Sequence, residues 1–137
     1  MQIDEFTRAY IECALWSSHY MKNDIEFHFD ETHNIDDLAS ETLGAMIADC
    51  AKFQLEHAAA LKNAYKYKAG MNAYEQNTLP DYDESQAGHD FWLTRNGHGA
   101  GFWDRGLGEL GTLLTMFAKA FPPRDLYIGD DGKIYAE

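Results

Sequence analysis

Basic residues are scarce in this chain. Eleven Lys and Arg stand against 23 Asp and Glu, a formal net charge of −12 with neutral histidines. Nucleic acid and anionic membrane both require a basic footprint, so neither is expected as a direct partner. Cysteine is scarcer still, with Cys13 and Cys50 alone. Both fall on apolar helix positions, which predicts a reduced, intracellular chain rather than a disulfide framework. No apolar run approaches the length of a membrane span. The acidic start has no apolar h-region, which predicts no secretory leader. Internal repeats and low-complexity segments are also lacking. At 137 residues, one domain over 1–137 is expected, large enough to bury roughly two-thirds of its unfolded surface without metal or disulfide.

What is abundant is aromatic and acidic. Aromatic residues make up 14% of the chain. The acids concentrate at the front: residues 1–50 hold eleven Asp and Glu against two Lys and Arg, a net of −9. Residues 51–78 carry a net of +2 and residues 79–137 a net of −5. Such a front suits a basic protein surface. Acidity that serves only solubility is the plainer explanation.

Periodicity predicts the elements. Asp4 can cap a first helix over 4–17, in which Phe6, Tyr10, Cys13 and Ala14 recur on one face. Leu15 and Trp16 lie partly off that stripe and are expected to meet a second element. This helix should end near 19–22. Ile25, Phe27 and Phe29 then alternate with polar residues, as in a short strand or extended arm. A long helix is expected after Asn34, with Asp36 and Asp37 in its first turn and an apolar face from Leu43 to Ala64. Gly70 would stop it, and Gly44 is a place for it to bend; alternatively it projects and forms a homodimer. His57 lies on its apolar face, as a satisfied core histidine. Met71, Tyr74 and Leu79 suit a short helical turn. Leu107, Leu110, Leu114, Phe117 and Phe121 predict another helix, ended by Pro122 and Pro123. A closing hairpin over 126–136 turns at Gly132.

The most unusual stretch is 88–106, which holds two of the three tryptophans, two of the six histidines and five of the eleven glycines. Asn96-Gly97 between aromatic runs predicts a type I′ hairpin with Arg95 facing His98. Trp92 and Trp103 would then lie beside a floor without side chains at Gly99 and Gly101. Two readings follow. Either these glycines admit a close backbone and the tryptophans are core, or the ribbon forms a ligand slot rimmed by His89, Arg95, His98 and Asp104. The fold class is therefore α+β: about three helices on one face of a small antiparallel sheet built from two hairpins.

The segment 87–104, AGHDFWLTRNGHGAGFWD, resembles a signature of small proteins encoded by bacteriophages and prophages. The similarity extends to 6–18, to the Glu41-Thr42-Leu43 and Ala48-Asp49-Cys50 segments, and to 125–135. It implies a phage gene product in bacterial cytoplasm and carries over no mechanism, cofactor or site residue.

Three functions are compatible with these residues. The first is an interaction protein that inhibits a host protein, in an anti-defence or host-takeover role. Asp24, Glu26, Asp30, Glu31, Asp36 and Asp37 would present a nucleic-acid-like acidic surface to a nucleic-acid-handling partner. The second is a binder of a nucleotide or small phosphate, with the tryptophans stacking on a base and Arg95, His98 and the glycine amides holding the anion. The third, weaker, is an enzyme drawing on His89, Asp90, His98 and Asp104, with Arg95 or Arg105 against an anion. No nucleophile motif, cofactor loop or metal spacing accompanies these groups; His28, Asp30 and His33 match no familiar metal site. No cofactor or metal is predicted.

Overall fold

The computed structural model describes residues 2–68, 71–78 and 81–137. The expected stop at Gly70 and the packing of Leu79 lie outside the described residues. The first helix, α1 (Glu5–Ser17), starts where Asp4 accepts a hydrogen bond from the Thr7 amide at 2.8 Å. Its buried face carries Phe6, Tyr10, Ile11, Cys13, Ala14 and Leu15. A hairpin follows at once, β1 (His19–Lys22) and β2 (Ile25–His28), paired from His19↔His28 to Lys22↔Ile25. Asn23 and Asp24 form its two-residue turn, both at positive φ, 53° and 64°.

Next come the single turn α2 (Phe29–Thr32), a 3₁₀ turn over Ile35–Asp37, then α3 (Ser40–Glu56) and α4 (Ala58–Tyr65). The chain continues through α5 (Ala73–Thr78), α6 (Glu84–Arg95), a 3₁₀ turn over Phe102–Asp104 and α7 (Glu109–Lys119). It closes with β3 (Leu126–Ile128) and β4 (Ile134–Ala136). The class is α+β, as expected, with seven helices among the described residues rather than three. The two hairpins do not join; each is its own two-stranded antiparallel sheet.

The expected ribbon over 90–104 is corrected, because residues 84–95 are helix α6. Asn96-Gly97 ends that helix instead of turning a hairpin. The Gly97 amide donates to the Thr94 carbonyl at 3.2 Å and the His98 amide to the Leu93 carbonyl at 3.0 Å. With Gly97 at φ 72°, this is a Schellman cap. A left-handed glycine serves a helix end as well as it serves a type I′ turn. Helical periodicity is hidden because α6 is buried on nearly all sides: Ala87, Gly88 and every residue from Asp90 to Arg95 are buried. The packing is close at Gly88, where a Cβ would stand 2.8 Å from the Phe6 carbonyl carbon of α1.

The long helix is also corrected. Asn34 caps only the 3₁₀ turn, accepting from the Asp36 amide, while Asp37 accepts from the Asn34 amide. Residues 38 and 39 then extend so that the Ala39 amide can donate to the Ile134 carbonyl at 2.9 Å. The helix that follows runs unbroken through Gly44 and breaks at His57, which has φ −122° and ψ 27°. There the imidazole lies flat on Phe117, centroids 3.7 Å apart and planes at 11°, and α4 packs on α7. The core centres on Phe53, which stacks on Phe91 at 4.3 Å and on Phe102 at 5.9 Å.

Candidate functional site

The residues expected to line a ribbon slot are dispersed by α6. Trp92 is core, 1% exposed, with its indole N–H donating to Ser17 Oγ at 2.9 Å and its ring edge-on to Tyr10 at 5.3 Å. Arg95, three positions on, is enclosed elsewhere. It donates to Asp49 at 2.8 Å, to the Tyr10 hydroxyl at 3.1 Å and twice to the Pro122 carbonyl. His98 and Gly99 are exposed beyond the cap. Gly101 is buried, and a Cβ there would strike Thr94 and the Trp103 ring. Trp103 is half-exposed over it. Asp104 is exposed, accepts from the Gly101 amide and stands 3.8 Å from Arg105. No slot unites these groups, so the close-approach alternative describes Gly101 and Trp92.

Asp90 and Arg105 form a buried network. The fully buried Asp90 carboxylate accepts three hydrogen bonds from Arg105, one from the Tyr82 hydroxyl at 2.6 Å and one from Gln86 at 3.2 Å. Burial, with the Asp90 charge beside it, pushes the Tyr82 pKa up; the hydrogen bond to Asp90 raises that of Arg105. Every lone pair of Asp90 is engaged, which suits holding α6 rather than moving a proton. Burial pushes the Cys13 thiol up to about 12, and the Cys50 thiol upward as well, so neither is a poised nucleophile. Among the described residues, no three of His, Cys, Asp or Glu gather to hold a metal ion.

One residue stands out on the surface. Trp16, near the end of α1, is 54% exposed. The expected contact with a second element is the one to His89 of α6, ring centroids 5.7 Å apart, while the neighbouring Leu15 is buried. Burial lowers the His89 pKa. Cavities of about 400 and 450 Å³ flank the indole. The first runs along α6 past Ser85, Gln86 and His89, with Glu12 and Asp83 as its charges. The second runs past Leu15, Ile35, His33 and Asp30, with Arg8 on its rim. Trp16 and Glu12 belong to both. Helical spacing had signalled Trp16 only as an aromatic off the apolar stripe.

Of the expected acidic set, Asp30 lines a groove beside Trp16, and the others lie on the hairpin, α2 and the 3₁₀ turn that follow α1. Asp24 occupies the hairpin tip, and Glu26 stands 3.2 Å from His19. Glu31 accepts from the His28 amide, while the His28 ring bonds the Trp16 carbonyl at 3.0 Å. Asp30 and Asp36 have no side-chain partner among the described residues and are exposed. Of the eleven acids in residues 1–50, nine are exposed.

No family model, curated protein or solved structure matches this chain. A large exposed indole between two grooves that carry Glu12, Asp30 and Asp83 can anchor an apolar side chain and attract a basic segment. Among the described residues, no helix is long and apolar enough to cross a membrane.

Proposed function

We propose that this chain acts by binding another protein through the Trp16 face, and that the bound segment is basic. The observation that carries this reading is the exposed Trp16 between two grooves, set among acids that the fold leaves largely uncompensated. Aromatic anchors contribute most where they are desolvated at the centre of an interface. Surrounding carboxylates steer a basic partner and discriminate against acidic ones. A second copy of this chain, with the same net charge of −12, is repelled from the face.

The resemblance to phage proteins supplies the setting of this proposal: a host protein in the bacterial cytoplasm, inhibited where it would otherwise hold nucleic acid. Asp24, Glu26, Asp30, Glu31, Asp36 and Asp37 then stand in for phosphates, with Trp16 as the apolar contact.

Capture from bacterial lysate with the tagged chain tests the proposal. Three baits are compared: the unmodified chain, Trp16→Ala, and a chain carrying Asp24→Asn, Glu26→Gln, Asp30→Asn and Glu31→Gln. The same partner should be held by the first, lost by the second, and weakened in a salt-dependent way by the third. A partner retained equally by all three baits refutes the assignment of this face.

A further inference from the structure

A separate cavity of about 670 Å³ opens between α3, α7 and residues 121–124. Its charge runs against that of the molecule. Lys52, Arg95 and Arg124 line it against Asp49 and Glu56, a net of +1 in a chain of net −12. The cavities beside Trp16 and along the closing hairpin carry neutral or negative linings.

One wall of this cavity is apolar and flat. Phe117 lies on the His57 ring, with Met116 and Phe121 beside it. The other wall is cationic. Arg95 and Arg124 both donate to the same oxygen of Asp49, at 2.8 and 3.2 Å. One carboxylate between two guanidinium groups leaves one positive charge uncompensated. Arg95 is fully enclosed and spends its other donors on Tyr10 and Pro122. Arg124 differs. Its side chain, 28% exposed, donates only through Nε among the described residues, so both terminal nitrogens are left for another acceptor. Its backbone amide is held by Asn96 Oδ1 at 2.8 Å, which fixes where the side chain begins. Lys52 has no carboxylate partner among the described residues and stands 5.7 Å from the Phe121 ring centroid.

The geometry points to a binding site for a small organic anion: one carboxylate or phosphate group carried on a flat apolar body. The anionic group takes the terminal N–H groups of Arg124, whose planar fork matches such oxygens, with Lys52 as a second charge. The body lies along Phe117 and Met116. Asp49 and Glu56 disfavour polyphosphates, since each adds repulsion within a few ångströms. The site is independent of the Trp16 face and stands whether or not a protein binds there.

Titration of phenyl phosphate, benzoate and inorganic phosphate into the isotope-labelled full chain, followed by amide chemical shifts, tests this. At least one aromatic anion should bind saturably, with shifts centred on Lys52, Phe117 and Arg124. The tighter of the two identifies the preferred headgroup. Inorganic phosphate should bind about tenfold more weakly, for want of the apolar body. Arg124→Gln and Lys52→Gln should each weaken the aromatic anion about tenfold or more, and Trp16→Ala should leave it unchanged. Arg95 still pairs with Asp49 in Arg124→Gln, and Lys52 is exposed, so both variants keep the fold. No saturable binding of either aromatic anion up to about 10 mM overturns the proposal. So does binding indifferent to both substitutions, or equal affinity for inorganic phosphate.

Discussion

Asp90 and Arg105 form a forked ion pair, with Nη2 2.7 Å from Oδ1 and Nε 3.0 and 3.1 Å from the two oxygens. Asp90 is fully buried, so removing its partner strands a carboxylate away from water. Arg105→Met should cost about 3–5 kcal/mol in urea denaturation. Adding Asp90→Asn to that variant should recover part of the loss, because the stranded charge is gone. A double variant less stable than Arg105→Met would show that the pair is not what Arg105 serves.

Gly88 marks the closest approach of α1 and α6. A Cβ there would press on the backbone of Phe6, which cannot give as a side chain can. Gly88→Ala should therefore destabilise by about 3 kcal/mol, at the upper end for an added methyl group. A melting temperature unchanged by this substitution would contradict the packing of these helices.

Gly97 poses the opposite case, since a Cβ there meets nothing within 4 Å and only its φ of 72° resists substitution. Gly97→Val should cost about 1–3 kcal/mol, while Gly97→Asn should cost less, because Asn tolerates the left-handed region. Equal losses from the two, measured by thermal unfolding, would argue against a left-handed cap.

The two tryptophans facing α1 and α6 should behave oppositely. Trp92→Ala removes a ring that is 1% exposed and should cost about 3–5 kcal/mol. Trp16→Ala removes one that is 54% exposed and should change stability by about 0.5 kcal/mol or less. Comparable urea midpoints for the two variants would refute this division between core and surface.

Stability should decline on mild acidification. Burial lowers the pKa of both His57 and His89 below the ordinary 6.5. Between the folded values and 6.5, the unfolded chain binds protons that the folded chain refuses. The histidine contribution is thus complete above this window and lost as the pH falls through it. Urea midpoints measured between about pH 7.5 and pH 5.5 should fall for the unmodified chain and fall less steeply for His57→Gln with His89→Gln. Parallel slopes would show that neither histidine is responsible.

Local signals proved sufficient for several elements. Asp4 caps α1, the leucine spacing marks α7, and the closing hairpin pairs Tyr127 with Tyr135 around a Gly132 turn at φ 80°. The first hairpin was half visible. Ile25 and Phe27 alternate as a strand should, but residues 19–22 read as the end of a helix. Its turn uses Asn23-Asp24, a weaker signal than Asn-Gly. Of the candidate surface, the acids were legible as charge, whereas the exposure of Trp16 was not, because helical spacing cannot say which neighbours arrive.

The sequence by itself determined what each short window can encode: caps, amphipathic stripes, left-handed glycines and an acidic front. Asn96-Gly97 specified a left-handed turn, and Gly97 has one. Tertiary structure alone decided whether that turn joined two strands or ended a helix. The choice rests on partners far away in the chain, such as Ser17 for the Trp92 indole and Tyr10 for Arg95. Buried polar groups must find hydrogen bonds, and α6 satisfies Asp90, Thr94 and Arg95 only where α1, α3 and the residues that follow α6 converge on it. That requirement is met by the assembled fold and written in no single stretch of the sequence.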